Sequence, residues 1–132
     1  MSTNFFGDGA RLHHIGIAVR KIENDFGDEG VFQDEYQKVF IQFNKIGNTR
    51  FEFIAPLGAD SPVTKFLDRG VHTYHACFEV DSLESSIIHA KKYGFRLIDN
   101  IVRAPAMNNS RIAWLFSIKF GLFELVEASQ PF

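Results

Sequence analysis

One cysteine, Cys77, is too few for a disulfide within the chain, and the expectation is a reducing, cytoplasmic setting. Basic charge is not in excess. The 14 Lys and Arg stand against 16 Asp and Glu, a formal net charge of −2, and no basic cluster offers a footprint for nucleic acid. Long apolar runs are missing too. Each is broken by His, Glu or Lys, which excludes a membrane-spanning segment. The opening MSTNFFGDGARLHH lacks a basic start followed by an apolar stretch, so no signal peptide is expected. Low-complexity sequence is also absent.

What the chain does hold is phenylalanine, 15 of 132 residues. Many sit in short alternating runs (VFIQF, RFEFI, WLFSIKF, LFELV), the pattern of half-buried strands over an aromatic core. The length suits a single domain. Alternation predicts a first strand at 12–19, then strands near 37–43 and 49–55 around a turn at Gly47-Asn48. Between them, RKIEND (20–25) leaves room for a turn or two of helix before Gly27 and Gly30. A short helix follows Ser61-Pro62 as far as about Asp68, capped by Asp60 or Ser61. A second series opens with a strand at 73–80. Asp81 or Ser82 then caps a helix at 83–93, whose Leu83, Ile87, Ile88 and Ala90 recur at helical spacing until Gly94. Strands near 95–99, 111–117 and 121–127 complete the chain.

The two series read as a diverged repeat. LHHIGIAV and TYHACFEV each carry a His, four residues and a Val, at His14 and His75; RFEFIAP and LFELVEA each carry Phe-Glu before apolar residues, at Glu52 and Glu124. From His to Glu the first half counts 38 residues and the second 49, a difference of about three helical turns.

Side chains alternate across a strand, so His14 shares a face with Gly16 and Ala18, while Ile15, Ile17 and Val19 take the other. Glu52 stands likewise between Phe51 and Phe53, and Glu124 between Phe123 and Leu125. The apolar faces should bury against helices. The ionisable residues would then be costly to bury without a partner. One divalent ion shared by His14, Glu52, His75 and Glu124 resolves all four. Two imidazoles and two carboxylates leave such a centre formally neutral, and the donor set suits Ni, Co, Mn, Fe or Zn rather than Cu(I). A closed tetrahedral, structural zinc site is the alternative. Taken singly, a strand His is more often a hydrogen-bonded core residue, and a strand Glu is usually solvated. Their matching places in both halves reverse that.

At these residues the sequence resembles the vicinal-oxygen-chelate superfamily, which includes glyoxalase I, methylmalonyl-CoA epimerase, extradiol dioxygenases and bleomycin-resistance proteins. The resemblance runs from about 11 to 127 and rests on LHHIGIAV, FEFIAPLGADSPVTKFL, YHACFEVDSLESSI and RIAWLFSIKFGLFELVE. These look most like methylmalonyl-CoA epimerase and small bacterial glyoxalase-like proteins. The resemblance implies an α+β fold of two βαβββ modules, at about 11–58 and 71–128 with a linker helix near 60–70. Their curved sheet would cup the metal, and the first-module helix is shortened here. In that pattern the metal ligands match His14, Glu52, His75 and Glu124. An acidic residue seventeen positions before the second ligand matches Glu35, with Asp34 adjacent.

The chemistry so implied is removal of a proton next to a carbonyl, with Glu124 and Glu35 as acid/base candidates. The substrate expected is a small thioester or a hemithioacetal. An epimerase of an acyl thioester comes first, a lactoylglutathione lyase second, and a non-enzymatic binder of a small molecule or antibiotic third. The resemblance also implies a homodimer, since the shortened helix should leave Ile15, Ile17 and Val19 needing cover.

Overall fold

The computed structural model describes residues 4–23 and 30–129. In chain order the elements are β1 (Arg11–Ala18), β2 (Phe32–Asp34), β3 (Val39–Ile46), β4 (Thr49–Pro56), α1 (Val63–Asp68) and β5 (Thr73–Val80). Then come α2 (Leu83–Lys91), β6 (Arg96–Leu97), β7 (Val102–Ala104), a 3₁₀ turn at Pro105–Met107, β8 (Ser110–Ser117) and β9 (Gly121–Glu127). The result is a mixed, nine-stranded sheet with few helices. No helix among the described residues is long and apolar enough to cross a membrane.

The chain divides into two compact units. One is His14–His75; the other joins the stretch up to His13 with Ala76 onward. In the first series of strands the order is β2-β3-β4-β1, and in the second β5-β9-β8-β6 with β7 also on β8. Each series pairs its first strand in parallel with its last, β1 with β4 and β5 with β9. The last strand then runs antiparallel to the one before it, β4 to β3 and β9 to β8. The repeat read from two short motifs is thus repeated in strand pairing.

Several local expectations shift for identifiable reasons. β2 and β7, three residues each, are too short for alternation to register. β3 starts at Val39 because 34–38 form a turn. There the Asp34 carboxylate accepts hydrogen bonds from the Gln37 amide at 2.9 Å and Gln37 Nε2 at 2.7 Å, and Lys38 takes φ 59°. Residues 20–23 are not helical, and the rest of the expected stub lies outside the described residues. Ser82 caps α2, its hydroxyl accepting from the Ser85 amide at 3.3 Å. Leu83, Ile87 and Ala90 are buried, but Ile88 is 64% exposed on the outer face. Before α1 the Ser61 hydroxyl accepts from the Val63 amide at 3.4 Å, whereas Asp60 pairs with Lys38.

In the unit holding α2, the expected apolar face does pack on a helix. Val80, Ala113, Leu115 and Leu125 meet Leu83, Ile87 and Ala90 of α2, and Phe6 and Phe95 join them. Phe6 enters from the N-terminal segment, anchored where its carbonyl accepts from the Ser86 hydroxyl at 2.8 Å. The other unit departs from expectation. Ile15, Ile17, Phe51 and Phe53 are only half-buried. Burial falls on the opposite face, where Ala18, Val39, Ile41, Phe43 and Ile54 surround His14 and Glu52.

Candidate metal centre

That buried face brings three of the expected ligands together. Parallel pairing of β1 with β4 sets Gly16 beside Glu52, and antiparallel pairing of β3 with β4 sets Phe43 on its other side. His14 is one side chain along from Gly16 on the same face. The missing side chain of Gly16 makes space for His75. A Cβ built at Gly16 would lie 2.0 Å from His75 Cε1 and 2.7 Å from its Nε2, closer than any contact allows. Alternation along the strand puts Gly16 on this face, but nothing local in the sequence shows what its lack of a side chain is for.

Three atoms converge in the space so made. His14 Nε2 and His75 Nε2 are 3.3 Å apart, and Glu52 Oε1 lies 3.2 Å from the first and 3.5 Å from the second. Ligand bonds of about 2.1 Å place neighbouring donor atoms about 3.0 Å apart at right angles and about 3.4 Å apart in a tetrahedron. Two of the observed separations fall in that range and the third, 3.5 Å, lies just beyond it, so the donor set fits a divalent ion. His14 is wholly buried, Glu52 is 2% exposed and His75 4%. The ring of Phe43 stands edge-on to His14 with centroids 5.4 Å apart, closing that flank with apolar surface.

Burial by itself pushes the Glu52 carboxyl upward. The charge and hydrogen bond of His14, then those of His75, outweigh it and hold the carboxyl down at about 2. Glu52 therefore stays ionised across the ordinary pH range.

The remaining expected site residues are Glu124, Glu35 and its neighbour Asp34. Glu124 is on β9 in the other unit, 1% exposed. Its strand register repeats that of Glu52. Cys77 sits beside it two residues after His75, as Gly16 sits beside Glu52 two residues after His14. Trp114 stands opposite it, as Phe43 stands opposite Glu52. Glu35 is exposed after β2, its Oε1 accepting from Gln33 Nε2 at 3.1 Å, and it is not gathered with the His14–Glu52–His75 donors. Asp34 is 4% exposed, with both carboxylate oxygens engaged by Gln37.

Residues 13–114 match the Glyoxalase/Bleomycin resistance protein/Dioxygenase superfamily. The chain belongs to that superfamily. Within it, a mitochondrial methylmalonyl-CoA epimerase of Homo sapiens is 34% identical over 110 residues, covering 73% of this chain and 61% of that protein. The chain thus spans less than two thirds of the human relative's length. YqjC of Bacillus subtilis is 36% identical over 115 residues, covering 80% of this chain and 81% of that one. Among solved structures, a methylmalonyl-CoA epimerase in complex with methylmalonyl-CoA and NH4+ superposes with a TM-score of 0.75 at 25% identity, covering 91% of this chain and 95% of that one.

Proposed function

We propose that this protein is a metal-dependent enzyme that removes the proton α to a carbonyl, acting as an epimerase of an acyl thioester of the methylmalonyl-CoA kind. The observation that carries the reading is the convergence of the His14, Glu52 and His75 donors on a buried face that is otherwise apolar. The named activity of the human relative and the thioester bound in the solved epimerase complex support it.

Glu124 completes the ligand set in this reading. Its support is the repeat, which gives it the register, burial and aromatic neighbour of Glu52. When bound, a divalent ion here supplies a Lewis acid toward the charge that develops on the substrate carbonyl oxygen. Glu124 takes the α-proton onto its carboxylate as the carbon–hydrogen bond breaks. Phe43 and its apolar neighbours keep water from competing at His14 and Glu52. Inversion needs a second acid to return a proton to the opposite face of the carbon, and Glu35 takes that role. A group serving the second face must stand off the ligand cluster, as Glu35 does. Asp34 is the poorer candidate, because its carboxylate already folds the 34–38 turn.

The separation of Glu35 from the cluster equally favours a one-base reaction, of the lactoylglutathione lyase type, in which Glu124 alone moves the proton. Deuterium exchange distinguishes the two. Epimerase chemistry predicts incorporation of deuterium from D₂O at the α-carbon of methylmalonyl-CoA, with inversion. Turnover of the methylglyoxal–glutathione hemithioacetal, without exchange into the thioester, would assign the lyase reaction instead.

A further inference from the structure

We propose that Arg50, with Lys45 beside it, is the specificity residue that receives a negatively charged group of the substrate next to the His14–Glu52–His75 centre. This rests on the thioester reading given above and adds a residue to it.

In the β3–β4 hairpin Lys45 is directly opposite Arg50, and Phe43 is directly opposite Glu52. Residues two apart on a strand share a face, so Lys45 and Arg50 lie on the same face as Phe43 and Glu52, one step toward solvent. The Arg50 guanidinium sits over the Phe43 ring, 5.7 Å from its centroid, and that ring abuts His14. Arg50 thereby continues an unbroken line from the centre outward, through His14 and Phe43. Arg50 is half-buried and Lys45 exposed.

Like charges directly across a strand pair repel, and an acidic residue at either position would serve the sheet better. The other half of the repeat supplies the comparison. At the matching register β8 and β9 carry Phe116 opposite Leu122, an apolar pair, beside Trp114 opposite Glu124. The aromatic–Glu step is therefore common to both halves, and the cationic step is confined to one. An acyl thioester has the matching asymmetry. A planar guanidinium on an aromatic face is suited to a carboxylate or phosphate, which it meets with two parallel hydrogen bonds.

Two parts of such a substrate carry negative charge, a carboxylate on the acyl group and the phosphates of the carrier. Calorimetric titration of the metal-loaded protein with four ligands separates them: malonyl and propionyl thioesters, each on CoA and on pantetheine. Arg50→Gln is expected to weaken binding by about tenfold or more, only for the ligands bearing the recognised charge. Loss confined to the two malonyl thioesters assigns the carboxylate, and loss confined to the two CoA thioesters assigns the phosphates. Arg50→Lys should keep part of the preference. Lys45→Gln should show the same preference more weakly, and it serves as the second probe if Arg50→Gln is poorly folded by circular dichroism. Equal weakening of all four ligands, or of none, overturns the inference while leaving the thioester reading intact. Failure of the unaltered protein to bind any of the four overturns that reading and this inference with it.

Discussion

Glu52 is a carboxylate with almost no access to water, and its cost of burial is offset by two imidazoles on one of its oxygens. Substituting Glu52→Ala or His75→Ala removes a ligand without touching Ile41, Ile54 or Val39, the side chains that bury apolar area there. Both variants are expected to fold with a near-native circular dichroism spectrum and to lose metal affinity severely. Unfolding of both, with metal binding unchanged in the soluble remainder, would contradict the ligand roles. Gly16 gives a sharper case because it donates nothing. A methyl group there collides with the His75 ring, so Gly16→Ala should displace one ligand and lower metal affinity about 10- to 100-fold, as loss of a group that orients a ligand does. A competition titration against a chelator measures this, and unchanged affinity would show that the ring had another place to go. Glu124→Gln tests a different role. Its amide oxygen can still ligate but cannot accept a proton, so turnover should fall further than metal binding.

Between elements, the clearest clasp joins α2 to β8 and β9. Arg111 Nη2 lies 2.7 Å from Glu127 Oε2, and its two Nη atoms reach Glu84 at 2.8 and 3.0 Å. Glu127 Oε2 also accepts from the Leu83 amide at 3.1 Å, tying the first turn of the helix to the sheet. The hydrogen bond from Arg111 is the largest influence on the Glu127 carboxyl and holds it below its ordinary value of 4.5. A carboxyl lowered in the folded state stabilises the fold fully above the unfolded value. That contribution is lost as pH falls through the lowered one. Arg111→Met is therefore expected to lower stability at pH 7, by an amount that shrinks toward zero in acid. Urea unfolding at several pH values checks it, and a pH-independent difference would assign the loss to packing. None of this clasp was legible in the sequence, because Glu84, Arg111 and Glu127 meet only through tertiary packing. Residues whose signal is local were legible: the Ser82 cap, the Gly94 stop, and the alternation of β1, β4, β5 and β9. Gly16 fell between, visible as a position on a face but not in purpose, since that purpose comes from a neighbouring strand.

At the scale of the whole chain, two series of strands with one pairing pattern carry two kinds of core. One packs an aromatic-rich sheet on α2; the other turns its buried face to His14 and Glu52 and leaves Ile15, Ile17, Phe51 and Phe53 half-buried. Such an apolar face favours association, and a homodimer is the expected state. Sedimentation velocity should report it, with a monomer at high concentration as the contrary result. The superfamily fold reaches this chain through pattern and pairing rather than through extensive identity, as the 25% identity alongside a TM-score of 0.75 illustrates. The most direct test of the metal centre is the metal content of the purified chain by elemental analysis after incubation with Ni, Co, Mn or Zn and removal of excess ion. About one tightly held divalent ion per chain is the predicted result, given the proposed donor set of His14, Glu52, His75 and Glu124. Retention of none of these ions by well-folded protein would contradict it.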